Sequence, residues 1–438
     1  MFGLYVDNFR GFTDQAVSFK DVNFLVGENS TGKSSLLSLI EVLAYPGFWI
    51  GGSDFSTENI KLGSFSDLVS AHSDDKKAFT VGFFVTSFDE NGELEIANFR
   101  VVTYERAHDG LPFPRRVSFI QNNKLICASI GKSSLSYKVL DEPTDSVDLS
   151  PLLHIASKEH KNKSTSGYRR IATKGIPRAV VFSLVHKLVG PALEGKRYEP
   201  VRGQYNFETR LPDVRWVAPI RAKPERTYDG FRVTQSATGE HIPRYLNNVI
   251  SKKKTSKGAR KFIDALEGFG AASGLFNQIS TTRFGKDPTD PFQIQVSIQG
   301  KGLRINNVGY GVSQVLPVTA EILNSSGHVA LIQQPEVHLH PRAQAALGTL
   351  IYESTKRNPN STLLIETHSD FMIDRFRLSK ARDRDKGKVT AQVVFFERRE
   401  TGNTIRTLDI DDNGLYPEEQ PVAFREFFIN EELDLLRL

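Results

Sequence analysis

The stretch GENSTGKSS, residues 27–35, brings together residue types that bind phosphate. It has the spacing G-x-x-x-x-G-K-[ST], in which glycines allow backbone N–H groups to converge on an anion. At this spacing Lys33 would reach the β- and γ-phosphates of a nucleotide, and the hydroxyl of Ser34 would ligate Mg²⁺. The sequence therefore predicts a site for ATP and Mg²⁺ that consists of Gly27, Asn29, Ser30, Thr31, Gly32, Lys33, Ser34 and Ser35.

The segments around this loop have the form that such a loop requires. Residues 4–27, LYVDNFRGFTDQAVSFKDVNFLVG, alternate apolar and polar side chains and then end in an apolar run, which predicts two or three strands. Residues 32–45, GKSSLLSLIEVLAY, have a helical period that Pro46 stops. A strand, the loop and a helix in this order place a helix N-terminus at the phosphates, where its partial positive charge binds anions.

The rest of the chain shows three kinds of pattern. From about residue 75 to 140, alternating residues with Asn-Gly and Asn-Asn turns predict a meander of strands. From about 145 to 270, helical periods such as RAVVFSLVHKLV mix with polar, basic stretches, of which EHKNKSTSGYRR and SKKKTSKGARK are the most loop-like. From 290 onwards strands and helices alternate, which is typical of an α/β fold.

Three further stretches in the last third combine residues that could take part in chemistry. NNVGYGVSQVLPV, residues 306–318, leads into a helix predicted to begin at residue 313. HVALIQQPEVHLHP, residues 328–341, is an apolar strand followed by polar residues, and TLLIETHSDFMI, residues 362–373, places a histidine just after a strand. The candidates in these stretches are Gly309, Gly311, Ser313, Gln314, Gln333, Gln334, Glu336 and His368.

In this order, the phosphate loop and the three stretches resemble the head of ABC-type ATPases. The resemblance is strongest to the SMC-like and OLD-like branch, in which NFR lies in the first strand and PExHLHP follows the Walker B strand. It covers residues 1–100 and 290–438. More narrowly, GYGVSQVLP, QQPEVHLHPRAQA and the tail TLDIDDNGLYPEE…FREFF look like ATPase subunits of prokaryotic antiphage systems of the PARIS and Septu kind.

The resemblance implies an α/β fold, namely an ABC head with a mixed or parallel sheet around the phosphate-loop helix and an antiparallel β-lobe. It implies an N-terminal lobe at residues 1–140 and a C-terminal lobe at residues 286–438. Between them, residues 141–285 would form a compact, mostly helical insertion for dimerisation or partner binding. The sequence has neither the heptad run of a long coiled coil nor the C-x-x-C of a hook, so no long coiled coil is expected.

The resemblance also implies roles for individual residues. Two heads would face each other and enclose two ATP molecules, so that Ser313 and the amides beside it contact the γ-phosphate held by the other copy. His368 would hydrogen-bond the γ-phosphate or the attacking water, and Asn8 and Arg10 would lie near the base or the phosphates. The alternative for His368 is a buried histidine at a strand end, and the alternative for Arg10 is a surface residue of a strand.

Two glutamines stand where such ATPases have two acids. Gln333 takes the place of the Mg²⁺-shell aspartate, and Gln334 that of the glutamate that polarises water. A glutamine amide carries no charge and takes no proton near neutral pH. Because loss of a positioned base costs about 10²–10⁴ in rate, hydrolysis is expected to be slow. Glu336 is expected to cap the loop, and the alternative is that it acts as a substitute acid.

Composition restricts the class of protein. Cys127 is the only cysteine among 438 residues, so neither a disulfide framework nor a cysteine-based zinc site can form within one chain, and a reducing cytoplasm is expected. No uninterrupted apolar run approaches ~18 residues, which argues against a membrane span. The net charge of +5 permits a nucleic-acid surface without requiring one.

Two stretches are candidates for partner contacts. The densest basic run consists of Lys252, Lys253, Lys254, Lys257, Arg260 and Lys261. Such a run is usually a solvated loop, and contact with DNA or RNA is the alternative. WVAPIRAKPERTYDG, residues 216–230, contains Arg221 and Arg226 and is expected to brace the insertion against the nucleotide head.

These observations predict an ATP-binding, slowly hydrolysing ABC-type ATPase subunit of a prokaryotic antiphage defence complex. It would form a homo-oligomer through its heads and would hold or release a separate effector protein, for which a nuclease is expected. One alternative is a DNA-repair ATPase of the RecF kind, against which YGVSQ counts because a signature closer to L-S-x-G-Q would be expected. The other alternative is a scaffold that binds ATP without hydrolysing it.

Overall fold

Strands and helices in the computed structural model follow the apolar periods of the sequence along much of the chain. The structure describes residues 1–51, 54–73, 76–88, 92–142, 144, 146–164, 166–193, 213–229, 234–287, 289–358 and 360–424. The strands, in chain order, are β1 Phe2–Asp7, β2 Gln15–Phe19, β3 Val22–Gly27, β4 Ala78–Phe88, β5 Leu94–Arg106, β6 Pro112–Gln121, β7 Lys124–Ile130, β8 Ser134–Leu140, β9 Arg169–Ala172, β10 Val214–Val217, β11 Gln278–Arg283, β12 Phe292–Ile298, β13 Lys301–Arg304, β14 Val329–Gln333, β15 Thr362–Glu366, β16 Ala391–Arg399 and β17 Gly402–Ile410. The helices are α1 Lys33–Ala44, α2 Phe48–Gly51, α3 Phe65–Leu68, α4 Ser150–Lys161, α5 Arg178–Ser183, α6 Val185–Leu193, α7 Ile242–Ser251, α8 Lys257–Ser273, α9 Tyr310–Leu323, α10 Pro341–Arg357 and α11 Asp370–Arg382.

The chain is organised in two units, each made of several segments. Unit 1 consists of residues 1–19, 28–212 and 396–406. Unit 2 consists of residues 20–27, 213–395 and 407–438. Of the segment expected as an insertion, residues 141–212 therefore belong to unit 1 and residues 213–285 belong to unit 2.

Unit 1 is built on an antiparallel sheet with the strand order β2-β1-β4-β5-β6-β7-β8-β9. The predicted meander corresponds to β4 to β8, where alternating residues place one apolar set on one face. Leu152 and Leu153 of α4 pack with Tyr5, Phe84 and Val101 of the sheet in one buried cluster. Unit 1 thus contains the expected antiparallel lobe, and α4 covers part of it because its apolar side chains need a partner surface.

Unit 2 contains a sheet with the order β10-β14-β15-β3-β16-β17, in which β10, β14, β15 and β3 run parallel. β3 and β14 are buried along their whole length, as the continuous runs VNFLVG and VALIQ require of parallel strands covered on both faces. Parallel strands end at the same edge of a sheet. The carboxyl ends of β3, β14 and β15, at Gly27, Gln333 and Glu366, therefore share one edge.

Helices of unit 2 cover this sheet and a second, smaller one. Leu347 of α10, Phe376 of α11 and Val318 of α9 belong to the same buried cluster as Phe24 and Ile332 of the strands. A separate cluster joins α7, α8 and α9 to the antiparallel sheet β11-β12-β13. The alternation of strands and helices predicted from residue 290 onwards is confirmed as a mixed α/β fold.

Three local predictions need correction. The helix predicted to begin at residue 313 begins at Tyr310, and the helical period over residues 178–189 is divided into α5 and α6 at Leu184. The stretch EHKNKSTSGYRR is not a loop throughout, because α4 extends to Lys161 and β9 pairs with β8. SKKKTSKGARK likewise contains the start of α8, since the hydroxyl of Ser256 accepts a hydrogen bond from the N–H of Ala259 and caps the helix.

The remaining features concern helix length and the tail. α8 and α10, with 17 residues each, would span about 25 Å at the usual rise per residue. Across the part of the chain that the structure describes, no helix has the length and apolarity to cross a membrane. Residues 425–428, which end the tail stretch FREFF, lie outside the described residues.

Candidate nucleotide site

The phosphate loop leads from the end of β3 to the start of α1. Gly27 and Gly32 have φ values of 145° and 97°, in the region that favours glycine. A Cβ atom at Gly32 would lie 2.4 Å from the Cζ atom of Phe12, whose ring is fully buried. Any other residue at position 32 would be strained in its backbone and would collide with this ring. Glycine is therefore required for the turn into α1.

Lys33 is the first residue of α1, and its side chain is almost entirely buried. Its ammonium group donates a hydrogen bond to the carbonyl of Glu28 at 2.7 Å, and the hydroxyl of Thr31 donates to the same carbonyl at 2.8 Å. The loop is thus closed by residues that the motif assigns to phosphate binding. A phosphate oxygen would compete with this neutral carbonyl for the ammonium, and charge favours the phosphate.

The exposed part of the loop consists of Glu28, Asn29, Ser30 and Ser34. The carbonyl of Asn29 accepts a hydrogen bond from the guanidinium of Arg398 at 2.8 Å. Ser34 and Ser35 lie in the first turn of α1, where backbone N–H groups lack an acceptor within the helix and the helix dipole favours anions. Arg398 adds a second positive charge beside the loop, and sequence reasoning missed it because its neighbours carry no motif.

Asn8 and Arg10 follow β1 in unit 1. Their φ values of 55° and 42° are uncommon for residues other than glycine. The side-chain amide of Asn8 donates a hydrogen bond to the carbonyl of Ala78 at 2.6 Å. The guanidinium of Arg10 donates to the carbonyls of Leu62 at 2.6 Å and Asp67 at 3.3 Å, and burial lowers its pKa. Both side chains thus brace backbone segments, and a nucleotide contact for either one stays a prediction.

Gln333 is the last residue of β14 and lies opposite Glu366, the last residue of β15. The Nε2 atom of Gln333 donates a hydrogen bond to Oε2 of Glu366 at 2.7 Å. The exposed fraction is 7% for Gln333 and 5% for Glu366. A carboxylate is therefore present beside the position where the sequence lacks one, and it belongs to a residue that sequence reasoning did not single out.

Gln334 turns the chain away from the end of β14. Its φ of 43° is in the left-handed region, and such backbone strain is often found at functional sites. Its N–H donates a hydrogen bond to the carbonyl of Glu366 at 2.8 Å, and its carbonyl accepts one from Nη2 of Arg221 at 3.0 Å. These two bonds fix the backbone from which the side chain of Gln334 extends.

Arg221 is buried in unit 2, with an exposed fraction of 3%. Its Nη2 atom also donates a hydrogen bond to the carbonyl of Gln333 at 2.8 Å. Burial lowers the pKa of Arg221 to about 10, and the nearby carboxylate of Glu336 opposes this shift. Its Nε and Nη1 atoms make no hydrogen bond to any residue that the structure describes. The stretch that was expected to brace the nucleotide head thus supplies an arginine that holds the end of β14.

Glu336 holds the turn that follows β15. Its Oε2 atom accepts a hydrogen bond from the hydroxyl of Thr367 at 2.9 Å, and its Oε1 atom accepts one from the N–H of His368 at 2.8 Å. This arrangement is a loop cap, which is the role expected first for Glu336. The side chain of His368 is exposed, so the same turn presents an imidazole that a ligand can reach.

The start of α9 carries the residues expected to act across two copies. Gly309 and Tyr310 are exposed, whereas the exposed fraction of Ser313 is 8% and that of Gln314 is 2%. The hydroxyl of Ser313 donates a hydrogen bond to the carbonyl of Tyr310 at 2.8 Å, and the amide of Gln314 donates to the carbonyl of Ala222 at 3.2 Å. The accessible part of this helix start is therefore its first backbone turn, not the hydroxyl of Ser313.

The loop after Gln334 packs against this helix start. A Cβ atom at Gly311 would lie 2.6 Å from the carbonyl oxygen of His338, so glycine is required for the close approach. The rings of Tyr310 and His338 meet edge to face with centroids 4.9 Å apart. Packing within one copy thus accounts for Gly311, whether or not its amide also contacts a nucleotide.

The residues predicted to bind a metal offer oxygen atoms, which are the ligands that Mg²⁺ prefers. Within the described residues, no group of three or more His, Cys, Asp and Glu side chains could hold a metal ion. Mg²⁺ commonly takes one or two ligands from the protein and the others from phosphates and water. In unit 1, the hydroxyl of Ser34 is a donor of this kind. In unit 2, Gln333, which was also expected at the metal, offers only an amide oxygen.

A glycine-dependent loop between a buried parallel strand and a helix N-terminus defines a P-loop nucleotide-binding protein. The chain matches the family described as AAA ATPase domain over residues 1–164 and 231–373, which is more than half of its length. The chain therefore belongs to this family of ATPase domains. The matched ranges contain the phosphate loop, the start of α9, the two glutamines and His368. No curated protein sequence matches the chain.

Solved structures that resemble the chain include three heads of SMC proteins. The first, an SMC head bound to the C-terminal winged-helix domain of ScpA, has 12% identity and a TM-score of 0.43 over 93% of this chain and 97% of that chain. An SMC head domain from Thermotoga maritima has 11% identity and a TM-score of 0.37 over 92% and 97% of the two chains. An Smc head with an extended coiled coil, bound to the C-terminal domain of ScpA from Pyrococcus furiosus, has 12% identity and a TM-score of 0.37 over 99% and 100%. The likeness is distant.

Proposed function

We propose that the chain is an ATP-binding, ABC-type ATPase subunit of a prokaryotic antiphage defence complex. The observation that carries this proposal is the phosphate loop, in which a glycine-specific turn precedes a helix N-terminus and the buried ammonium of Lys33 is held at the loop by a carbonyl. Membership of the ATPase family supports the chemistry. The order of the sequence motifs supports the ABC type and the defence role.

Hydrolysis is proposed to be slow, well below the ~1 s⁻¹ lower end of typical enzyme rates. The side chain of Gln334 can orient a water molecule but cannot take its proton, because an amide is not a base near neutral pH. Both carboxylate oxygens of Glu336 accept hydrogen bonds from the turn after β15, which supports a capping role over a catalytic one. Mg²⁺, when bound, would neutralise charge on the phosphates.

A slow ATPase suits a nucleotide-dependent switch, because a state that needs bound ATP then persists. In this proposal two or more copies associate through their heads and hold a separate effector protein, a nuclease being the first candidate. Release of the effector would follow hydrolysis. A switch that holds its partner while ATP is bound needs no rapid hydrolysis, so the two glutamines are compatible with function.

Two other functions each have one observation in their favour. The basic run favours DNA or RNA contact by a RecF-like ATPase, since Lys252 and Lys254 are exposed in the turn before α8. Lys253 of the same turn forms an ion pair with Glu267 at 3.0 Å. The pair Gln333 and Gln334 favours a scaffold that binds ATP without hydrolysing it. A complete absence of ATP turnover would favour the scaffold over the proposed ATPase. Salt-dependent binding of a DNA duplex would favour the RecF-like function.

The decisive experiment for the proposal is ATP binding by Lys33→Ala. Removal of the ammonium should weaken ATP binding by at least ~10-fold, because a charge-assisted hydrogen bond to phosphate is lost. Isothermal titration measures the affinity, and Lys132→Ala is the matched control, since Lys132 is an exposed lysine of a turn in the same unit. Equal ATP affinity in the parent and in Lys33→Ala would refute the assignment of the loop.

A further inference from the structure

A surface groove of unit 2 lies between α8, α10 and α11, and it is lined by none of the residues of the candidate nucleotide site. Its volume is about 760 Å³. Small residues such as Gly268 of α8 and Ala345 of α10 line this space between the helices. Phe371 of α11 lines it too and is 55% exposed. An exposed apolar groove of this kind is typical of a surface that another segment covers.

The groove also carries positive charge. Arg342, Arg357 and Arg375 line it together with one acid, Glu353, which leaves an excess of two positive charges. Glu353 lies 4.0 Å from Arg357. The guanidinium of Arg342 donates hydrogen bonds to two carbonyls near the end of α8, which are neutral and do not compensate its charge. An occupant with acidic as well as apolar side chains therefore fits this surface.

We propose that residues 425–438 of the same chain occupy this groove. They lie outside the described residues, and their sequence is REFFINEELDLLRL. Seven of the fourteen residues are apolar and four are acidic, against two arginines. Their excess of two negative charges matches the charge of the groove, and their leucine and phenylalanine side chains suit its apolar lining. Occupation of the groove requires no bound ATP.

The described part of the chain ends beside a helix that lines the groove. Phe424, its last residue, is 3% exposed, and its ring packs against those of Phe395 and Tyr416 at centroid distances of 5.4 and 5.3 Å. The guanidinium of Arg377 in α11 lies over the ring of Tyr416, 4.0 Å from its centroid. Phe371 of the groove belongs to the same helix, and all these residues are part of unit 2.

The segment is long enough to follow the groove. Fourteen residues span at most about 46–50 Å, whereas α8 and α10, with 17 residues each, are about 25 Å long. Because the segment is attached to unit 2, its effective concentration at the groove is high, and weak contacts suffice to hold it. While it is bound, it would exclude any other protein from the same surface.

The reactivity of a cysteine placed in the groove of the full chain tests this proposal. Cys127, the only cysteine, is 1% exposed, and burial raises the pKa of its thiol to about 12, so it should react slowly. Gly268→Cys places a thiol in the groove, where a Cβ atom would meet nothing within 4 Å. Gly258→Cys is the matched control, because Gly258 is an exposed glycine of the same helix that does not line the groove. The rate of modification by N-ethylmaleimide is measured for both.

We expect the thiol of Gly268→Cys to react at least ~10-fold more slowly than that of Gly258→Cys, because it is reached only when the segment leaves the groove. Leu433→Asp combined with Leu436→Asp should remove apolar contacts of the segment and raise the rate to that of the control.

A change of charge in the groove should have the same effect as the change in the segment. Arg375→Glu should raise the rate of Gly268→Cys, because it replaces an attraction for the acidic segment by a repulsion. Loss of a cation near a thiol by itself raises the pKa of the thiol and slows its reaction, so a faster reaction reports that the groove has opened. Arg384→Glu, which changes an exposed arginine after α11 that does not line the groove, should leave the rate unchanged.

Three results would overturn the proposal. Equal rates for Gly268→Cys and Gly258→Cys would show that the groove is open. A slow reaction that the two leucine replacements do not change would show that another part of the chain covers the thiol. Protection that disappears on dilution would show that the occupant comes from a second copy. Melting temperatures establish which variants are folded, and if Arg375→Glu is not, the leucine replacements decide.

Discussion

Single residues at the end of β14 set the hydrolysis rate that we expect. The backbone of Gln334 is held by the carbonyl of Glu366 and by Arg221, and its φ of 43° is unusual. Replacement of its side-chain amide by a carboxylate preserves shape and leaves both backbone bonds intact. The chemical effect of an acid at this position can therefore be separated from an effect on the fold.

Gln334→Glu is expected to raise ATP turnover at least ~10-fold, as part of the ~10²–10⁴ that a positioned base contributes. Phosphate release under saturating ATP is the measurement, and the gain should vanish when Lys33→Ala is added. Gln299→Glu is the matched control, because Gln299 is an exposed glutamine with a similar φ of 51° in a turn between strands. Fast turnover in the parent would contradict the slow switch, and Glu336 and His368 would then be the residues to replace.

At the scale of elements, a buried histidine attaches α4 to the sheet of unit 1. Nδ1 of His160 lies 2.7 Å from the hydroxyl oxygen of Thr103 in β5, and Nε2 lies 2.8 Å from that of Ser118 in β6. Burial, together with the nearby guanidinium of Arg116, lowers the pKa of His160 to about 3. The imidazole is therefore neutral in the folded chain, and both ring nitrogens serve the attachment of the helix.

Acid should therefore destabilise the chain through this helix. An unfolded histidine has a pKa near 6.5, whereas that of His160 in the fold is about 3. Between these values the unfolded chain binds more protons, so the free energy of unfolding falls as the pH falls. His160 should account for a loss of about 2 kcal/mol from pH 7 to pH 5.

His160→Gln, which stays neutral and can form hydrogen bonds, should remove this part of the pH dependence. Denaturant unfolding at pH 7, 6 and 5 measures it. His154→Gln is the control, because His154 lies in the same helix with 41% of its side chain exposed. If the free energy of unfolding depends on pH equally in the parent and in His160→Gln, the acid sensitivity belongs to another group. His186 would be a candidate, because burial also lowers its pKa.

Elements with long, regular periods could be predicted from the sequence, and short ones could not. β14, β15 and α10 carry apolar patterns that need no knowledge of their neighbours. β9 and β10 have four residues each and form because β8 and β14 offer them an edge, which their own residues do not encode.

The same distinction applies to the candidate site. The phosphate loop is contiguous in sequence, so its motif can be read directly. Glu366 lies within an ordinary strand, and only the register of the two strands brings it into contact with Gln333, 33 residues earlier. Arg398 reaches the loop from a strand 369 residues away from Asn29. Contacts of this kind depend on the tertiary fold and leave no local pattern.

At the scale of the whole molecule, the expected assembly of two copies depends on the exposed start of α9 in unit 2. Ser313 is too buried for a bulky replacement to test this contact, because such a change would disturb the helix of its own copy. Gly309 is better suited. A Cβ atom at this position would meet nothing within 4 Å, and its φ of −55° suits any residue.

Gly309→Glu is expected to block ATP-dependent association of two copies. An acid before the first turn favours its own helix, so the fold should be retained, but its charge would oppose the triphosphate presented by the other copy. Gly309→Ala adds a Cβ atom without charge and should associate as the parent does. Light scattering with and without ATP measures the change in mass of the assembly. The change is the relevant quantity, because copies that also associate through other surfaces would have a high mass in both conditions. An equal ATP-dependent increase in Gly309→Glu would show that the start of α9 is not the contact, and the arrangement across two copies predicted from the sequence would then be wrong.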